Sequence, residues 1–195
     1  MELTPRQDDI VQAAIALIAR RGYKFLTTKN LARELKLTEA ALYRHFASKD
    51  DLIVKILDYF EALSCRILAE IENSELPPME KVRRFVLDRY QLFSTHRDLA
   101  KVMFSEELFQ YDPACATRMD RISGTHRDSV LYYLREAQAR GVVDPSHDPG
   151  QLFRVIVGSM RFLVTQWNLS GQNFDLVDEG EKLFATIRKL VELRS

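Results

Sequence analysis

A phenol, a guanidinium and an imidazole stand in a row at Tyr43, Arg44 and His45, inside the segment TEAALYRHF at residues 38–46. The phenol and the imidazole can donate hydrogen bonds to phosphate oxygens. The guanidinium can do the same or fork onto the edge of a guanine. Leu42 and Phe46 lie four apart, the spacing of a buried helical stripe. The helix they imply is barely two turns long, which suits a DNA groove better than a core.

The elements that must position such a helix are legible on both sides. Thr4-Pro5-Arg6-Gln7 offers an N-cap, a proline at the first helical position and a capping-box glutamine. Ile10, Ala13, Ala14, Leu17 and Ile18 follow at helical spacing, and Gly22 ends this first helix. Thr27 or Thr28 caps a short second helix carrying Leu31, Ala32 and Leu35. Thr38 caps the third, at 39–46. Ser48 and Asp51 form a further capping box at the start of a long fourth helix, which ends near Asn73 ahead of Pro77-Pro78. Four or five more helices are expected: about 79–93, 97 to about 109, one opened by Asp112-Pro113 and ending at Gly141, one opened by Asp148-Pro149 and running over 152–167, and one from about 178 to the end.

No period-2 strand pattern and no internal repeat appear. The expectation is an all-α chain of about nine helices, with a three-helix helix-turn-helix head on a larger helical body that ends in dimerising helices. The division expected is a head at 1–50, a linking helix at about 49–72 and a body at 73–195. The turn is residues 35–38. The helix after it is expected to enter the DNA major groove with its first residues at base edges.

Composition agrees with a soluble helical protein. Of 195 residues 46% are hydrophobic and 29% charged, and only 7 glycines and 6 prolines are present, few for a loop-rich chain. No run reaches the ~18 apolar residues of a membrane span. The opening MELTPRQDD lacks the basic stretch and apolar core of a signal peptide, so a cytoplasmic location without membrane contact is expected. Cys65 and Cys115 are isolated and read as reduced packing residues. Net charge is zero, yet residues 1–50 hold nine Lys/Arg against six Asp/Glu, and the remainder nineteen against twenty-two. A basic end on a neutral protein points to an anionic partner at that end.

The stretch TTKNLARELKLTEAALYRHFASKDDL makes residues 5–60 resemble the TetR family of bacterial transcriptional regulators. The resemblance is carried by the paired Thr27-Thr28, Leu31-Ala32, the Thr38 cap, Leu42-Tyr43, His45-Phe46 and the SKDDL that opens the long helix. Beyond residue 60 only the layout matches. The resemblance implies a ligand-responsive repressor that holds a palindromic operator as a homodimer and is released by a small-molecule effector. It implies a DNA-binding set of Thr27, Thr28, Lys29, Lys36, Thr38, Glu39, Ala40, Ala41, Tyr43, Arg44, His45 and Lys49. One departure stands out: family members usually carry glycine in the turn where this chain has Lys36. A left-handed backbone there costs a non-glycine residue roughly 1 kcal/mol.

In the body, the eighth helix is apolar nearly all round, from Leu152 through Phe162 to Val164. A helix without a wet face is covered on both sides, and a second copy is the simplest second cover. Val155, Gly158, Ser159 and Leu163, with Phe184, Ile187, Leu190 and Val191 of the ninth helix, are the expected interface. The middle helices carry many aromatics, where the resemblance implies a pocket at Arg89, Phe93, Phe104, Phe109, His126, Tyr133, Phe162 and Trp167. His126 sits four after Ile122 and four before Val130, so it points inward.

Catalysis is not expected. Ser123, His126 and Asp128 share one helix, and their spacing cannot align a relay from acid to base to nucleophile. Glu106 and Glu107 are adjacent on a helix and diverge. No phosphate loop or zinc spacing is present, so no cofactor and no metal are expected. The alternative function is a sequence-specific DNA-binding factor of the same fold that recruits a protein partner without a small-molecule ligand.

Overall fold

The computed structural model describes residues 3–105 and 113–193. Among the described residues there are nine α-helices and no strand: α1 Pro5–Arg21, α2 Thr28–Leu35, α3 Glu39–Tyr43, α4 Lys49–Glu72, α5 Pro78–Thr95, α6 Arg97–Met103, α7 Pro113–Ala139, α8 Pro149–Leu169 and α9 Leu176–Val191. The all-α expectation holds. Of the expected pocket residues, Phe109 lies outside the described residues.

Contacts divide the chain into two compact units, Met1–Ala62 with Asp98–Asp120, and Leu63–Arg97 with Arg121–Ser195. Both α4 and α7 contribute to each. Within the first unit, Arg118 of α7 is ion-paired with Asp58 and Glu61 of α4, which holds the start of α7 against that helix.

The head is built on α1. Thr4 accepts from the Gln7 backbone N–H while the Gln7 side chain accepts from the Thr4 backbone, so the capping box forms. Gly22 turns the chain out of α1 at φ 85°, a backbone angle that favours glycine. Ile10, Val11, Ala14, Leu17 and Ile18 are buried on the inner face, and Leu31, Ala32, Leu42, Phe46 and Leu52 complete the core. Ser48 accepts from the Asp51 N–H at 3.0 Å, and the Asp51 carboxylate accepts from the Ala47 N–H at 3.0 Å, which starts α4.

The second unit is organised by α9, which packs on α5 and α8. Asp148 caps α8 through the Gln151 N–H, and Asp175 caps α9 through Val177 and Asp178. Arg83 to Glu181 and Arg188 to Glu80 join α5 and α9 at 2.5–2.8 Å. Residues 142–144 pair briefly with 191–193, through Asp144 N–H to Val191 O at 3.0 Å and Leu193 N–H to Val142 O at 3.1 Å. No helix of the described residues is long and apolar enough to cross a membrane.

Candidate nucleic-acid interface and the buried polar chain of the body

The turn between α2 and α3 fixes the head's outer face. Thr27 is the cap of α2, accepting from the Asn30 N–H at 3.1 Å. Lys36 ends that helix in the left-handed region, φ 54° and ψ 42°, and the Leu37 N–H closes back onto Ala32 O at 2.8 Å. The turn therefore keeps the geometry that glycine favours, with a lysine in it. Thr38 then caps α3 by accepting from the Ala41 N–H at 3.2 Å.

The helix proper stops at Tyr43, not at Phe46 as the sequence suggested. The His45 N–H bonds to Leu42 O at 2.9 Å, a tightened last turn. That turn still brings Phe46 inward beside Leu42; the two are 6% and 4% exposed. Tyr43, at 54% exposed, and Arg44 are left outside. His45 is half-buried, and its carbonyl accepts from Gln7 Nε2 at 3.4 Å, tying the turn to α1.

Thr27, Thr28, Tyr43 and Lys49 surround one shallow hollow floored by Leu31, Leu42 and Phe46. Two further contacts order this face. Thr28 Oγ1 donates to the Glu39 carboxylate at 2.6 Å, which joins the starts of α2 and α3. Lys49 Nζ sits 3.7 Å over the Tyr23 ring, where partial burial lowers its pKa against the opposing pull of Asp50. Lys29, Lys36 and Arg44 are exposed and form no ion pair among the described residues, while Ala40 is exposed and Ala41 half-buried. Such a face can donate from a phenol and a guanidinium to phosphate oxygens, with unpaired cations beside them. Neither Tyr23 nor the Thr28–Glu39 bond was found by reading the sequence, because both depend on a fold that brings separate elements together.

In the body, Arg89 is buried at 1% exposure. Its Nη1 donates to Phe85 O at 3.2 Å, its Nη2 to Ser64 Oγ at 3.1 Å, and the guanidinium lies 3.9 Å from the Phe85 ring centroid. Ser64 Oγ is also 2.9 Å from His126 Nε2. Arginine has no acceptor, so the serine hydroxyl takes from Arg89 and gives its own proton to His126, placing the imidazole proton on Nδ1. Phe85 meets the His126 ring edge-on at 5.7 Å. Burial, then the neighbouring Arg89 charge, brings the His126 pKa down to about 3, so the ring is neutral in ordinary buffers. Burial alone lowers Arg89 to about 9, against Asp88 and Cys65, which leaves it cationic at neutral pH. Arg89 Nε and the Tyr90 hydroxyl have no hydrogen-bond partner among the described residues.

Arg89 and His126 are thus brought together, through a serine the sequence reading passed over. Ser64 stands four after Phe60 and four before Leu68, a polar residue inside the apolar stripe of α4, and that was the available signal. The other expected pocket residues are placed differently. Phe93 is buried. Tyr133 is buried with Lys81 5.6 Å over its ring. Trp167 is buried and donates to Phe174 O at 2.9 Å. Phe104 is half-buried in the first unit. Phe162 is 64% exposed, on the outer face of α8.

The expected interface also separates into two sets. Phe184, Ile187 and Val191 of α9 are buried in the body's own core, because their stripe faces α5 and α8, and Leu163 of α8 is buried too. Val155 and Leu190 are 50% and 67% exposed. Gly158 and Ser159, with Phe162, Gln166, Leu183 and Thr186, line an open groove of roughly 590 Å³ between α8 and α9. A Cβ on Gly158 would meet nothing within 4 Å. Among the described residues no group of His, Cys, Asp or Glu could hold a metal ion.

Two family descriptions match the chain: bacterial regulatory proteins of the tetR family over residues 10–56, and the C-terminal region of YsiA-like proteins over residues 58–189. The chain spans about half the length of such a curated relative as the uncharacterized HTH-type transcriptional regulator YerO of Bacillus subtilis, with 24% identity over 74% of this chain and 52% of that protein. The fatty acid degradation regulator FadR of Bacillus halodurans shares the fold at TM-score 0.84, with 19% identity over 96% of this chain and 97% of that one. FadR of Bacillus subtilis, solved in complex with stearoyl-CoA, does so at TM-score 0.80, with 20% identity over 94% and 97%.

Proposed function

The chain belongs to the tetR family of bacterial transcription regulators, and on that premise we propose that it is a repressor that grips a palindromic operator as a homodimer and lets go when a small molecule enters its body. The observation that carries this reading is the outer face of the head. Tyr43 and Arg44 project from a short helix whose inner residues, Leu42 and Phe46, are buried. Lys29 and Lys36 add positive charge with no acid paired to them among the described residues. The DNA-binding set comprises Thr27, Thr28, Lys29, Lys36, Thr38, Glu39, Ala40, Ala41, Tyr43, Arg44, His45 and Lys49. Thr28 acts mainly by holding Glu39, and Lys49 by stacking on Tyr23.

Two copies are required to cover two half-sites. The exposed α8 and α9 face, with Val155, Gly158, Ser159, Phe162 and Leu190, supplies the contact, since large apolar side chains left exposed beside an open groove mark an interaction surface. The fold is shared with a regulator solved with stearoyl-CoA, and the polar chain of Arg89, Ser64 and His126 offers anchors for a small molecule in an otherwise apolar interior. The protein acts in the cytoplasm, where its operator is.

Gel shifts on DNA upstream of the protein's own gene, run at several salt concentrations, test the reading. Specific binding with a steep negative slope of log K against log salt is expected. A slope near zero, or unchanged affinity when Tyr43→Phe and His45→Ala are combined, ends it.

A further inference from the structure

We propose that the buried guanidinium of Arg89 receives a single carboxylate, so that the effector of this chain is a mostly apolar molecule carrying one monoanionic acid group. The inference rests on the reading of the body as a small-molecule receiver and names the chemistry it receives.

Arg89 has five N–H donors, of which the structure uses two, one on Phe85 O and one on Ser64 Oγ. Its Nε–H is buried with no acceptor. No carboxylate pairs with it among the described residues: Asp88, the adjacent acid, is held by Arg84 at 2.8 Å. A fully buried cation with no counter-ion and one N–H left without an acceptor is an arrangement a folded chain does not keep for stability, since an apolar residue of similar volume does at least as well there. It is the arrangement expected of a receptor whose counter-ion arrives with the ligand.

The surroundings set the class of that ligand. His126 is neutral, so the site holds one positive charge and one negative charge balances it. A phosphate dianion would leave a buried surplus, and a neutral ligand would leave the guanidinium uncompensated. A planar carboxylate matches the guanidinium fork. The rest of the ligand meets apolar side chains, for Phe85 and Phe93 share the Arg89 face of α5, while Ile122 and Val130 flank His126 on α7. Because Arg89 is only 1% exposed, entry requires the side chains around it to part.

The test uses the full chain and straight saturated acids of six to fourteen carbons, each compared with its matching alcohol below micelle-forming concentration. At least one acid is expected to bind wild type about tenfold or more tightly than its alcohol, as a charge-assisted pair predicts. In Arg89→Met that preference is expected to fall to about two-fold or less, and in Arg89→Lys, which keeps the charge without the fork, to an intermediate value. Wild type that prefers no acid over its alcohol overturns the proposal, as does an undiminished preference in Arg89→Met. Should both variants fail to fold, the wild-type comparison alone decides. Operator affinity is measured separately: loss of DNA binding would defeat the repressor reading while leaving the acid preference intact.

Discussion

A side chain on Gly180 of α9 would collide with the ring of Tyr90 on α5: its Cβ would stand 2.2 Å from two of the ring carbons. The glycine is what lets α9 settle against α5, and Tyr90 is fully buried in that contact. Gly180→Ala should destabilise the protein by about 1–3 kcal/mol through overpacking, read as a lower urea midpoint. Combining it with Tyr90→Leu should recover part of the loss, because the two positions share one contact. Additive losses would show that the ring is not the obstacle.

Lys36 holds a left-handed backbone angle without being glycine. Lys36→Gly should raise stability by up to about 1 kcal/mol, the relief of strain being offset in part by the greater freedom of the unfolded chain. The same variant should weaken non-specific DNA binding slightly at low salt, since a cation is lost from the outer face. Loss of stability would mean that the turn does not carry the strain its angles imply.

His126 predicts a pH dependence with a definite sign. Its folded-state pKa, about 3, lies below the ordinary 6.5, so the unfolded chain takes up the proton first. Folding stability is therefore complete above about pH 6.5 and lost as pH falls toward 3, at a slope approaching 1.4 kcal/mol per pH unit. Urea midpoints between pH 7.5 and 4.5 should decline for wild type and decline less for His126→Gln. Parallel lines would remove the histidine from the account.

Lys29 and Arg44 are exposed and unpaired among the described residues. If Lys29 meets a phosphate, Lys29→Gln should lower affinity for all sequences alike and reduce the salt slope by about 1. Arg44→Gln would behave the same way at a phosphate. At a guanine edge it would instead cost about 1–3 kcal/mol and relax specificity at one position in each half-site. A binding-site selection on random DNA separates the two.

Phe162 is exposed beside a groove lined by Gly158, Ser159 and Leu183. Phe162→Arg should halve the mass seen by light scattering and reduce operator binding sharply, with the helical content unchanged. A dimer that survives this change would place the pairing surface elsewhere.

Local chemistry made much of this legible. The caps at Thr4, Thr27, Thr38, Asp148 and the Ser48–Asp51 pair can be read from residue types because each acts within three or four positions. The end of α3 could not be read so closely, since a tightened turn presents Leu42 and Phe46 inward as well as a full helix would. Periodicity also failed to choose faces on α8, where apolar residues run nearly all round: packing made Ile156 and Val164 inner and Val155 and Phe162 outer. On α9 the apolar stripe is wider than the core it covers, so Phe184, Ile187 and Val191 turned inward and Leu190 outward. Ser64 escaped notice because one hydroxyl in an apolar stripe acquires meaning only from the arginine and histidine that reach it.

The outer face of α8 bears on how this protein behaves in bulk. A chain with zero formal charge near neutrality, with an isoelectric point of about 6.9, has little long-range repulsion between copies. Uncovered Val155 and Phe162 would then make solitary molecules clump. If that face joins two copies as proposed, covering it also keeps the molecules dispersed, and single copies should clump at concentrations that joined ones tolerate.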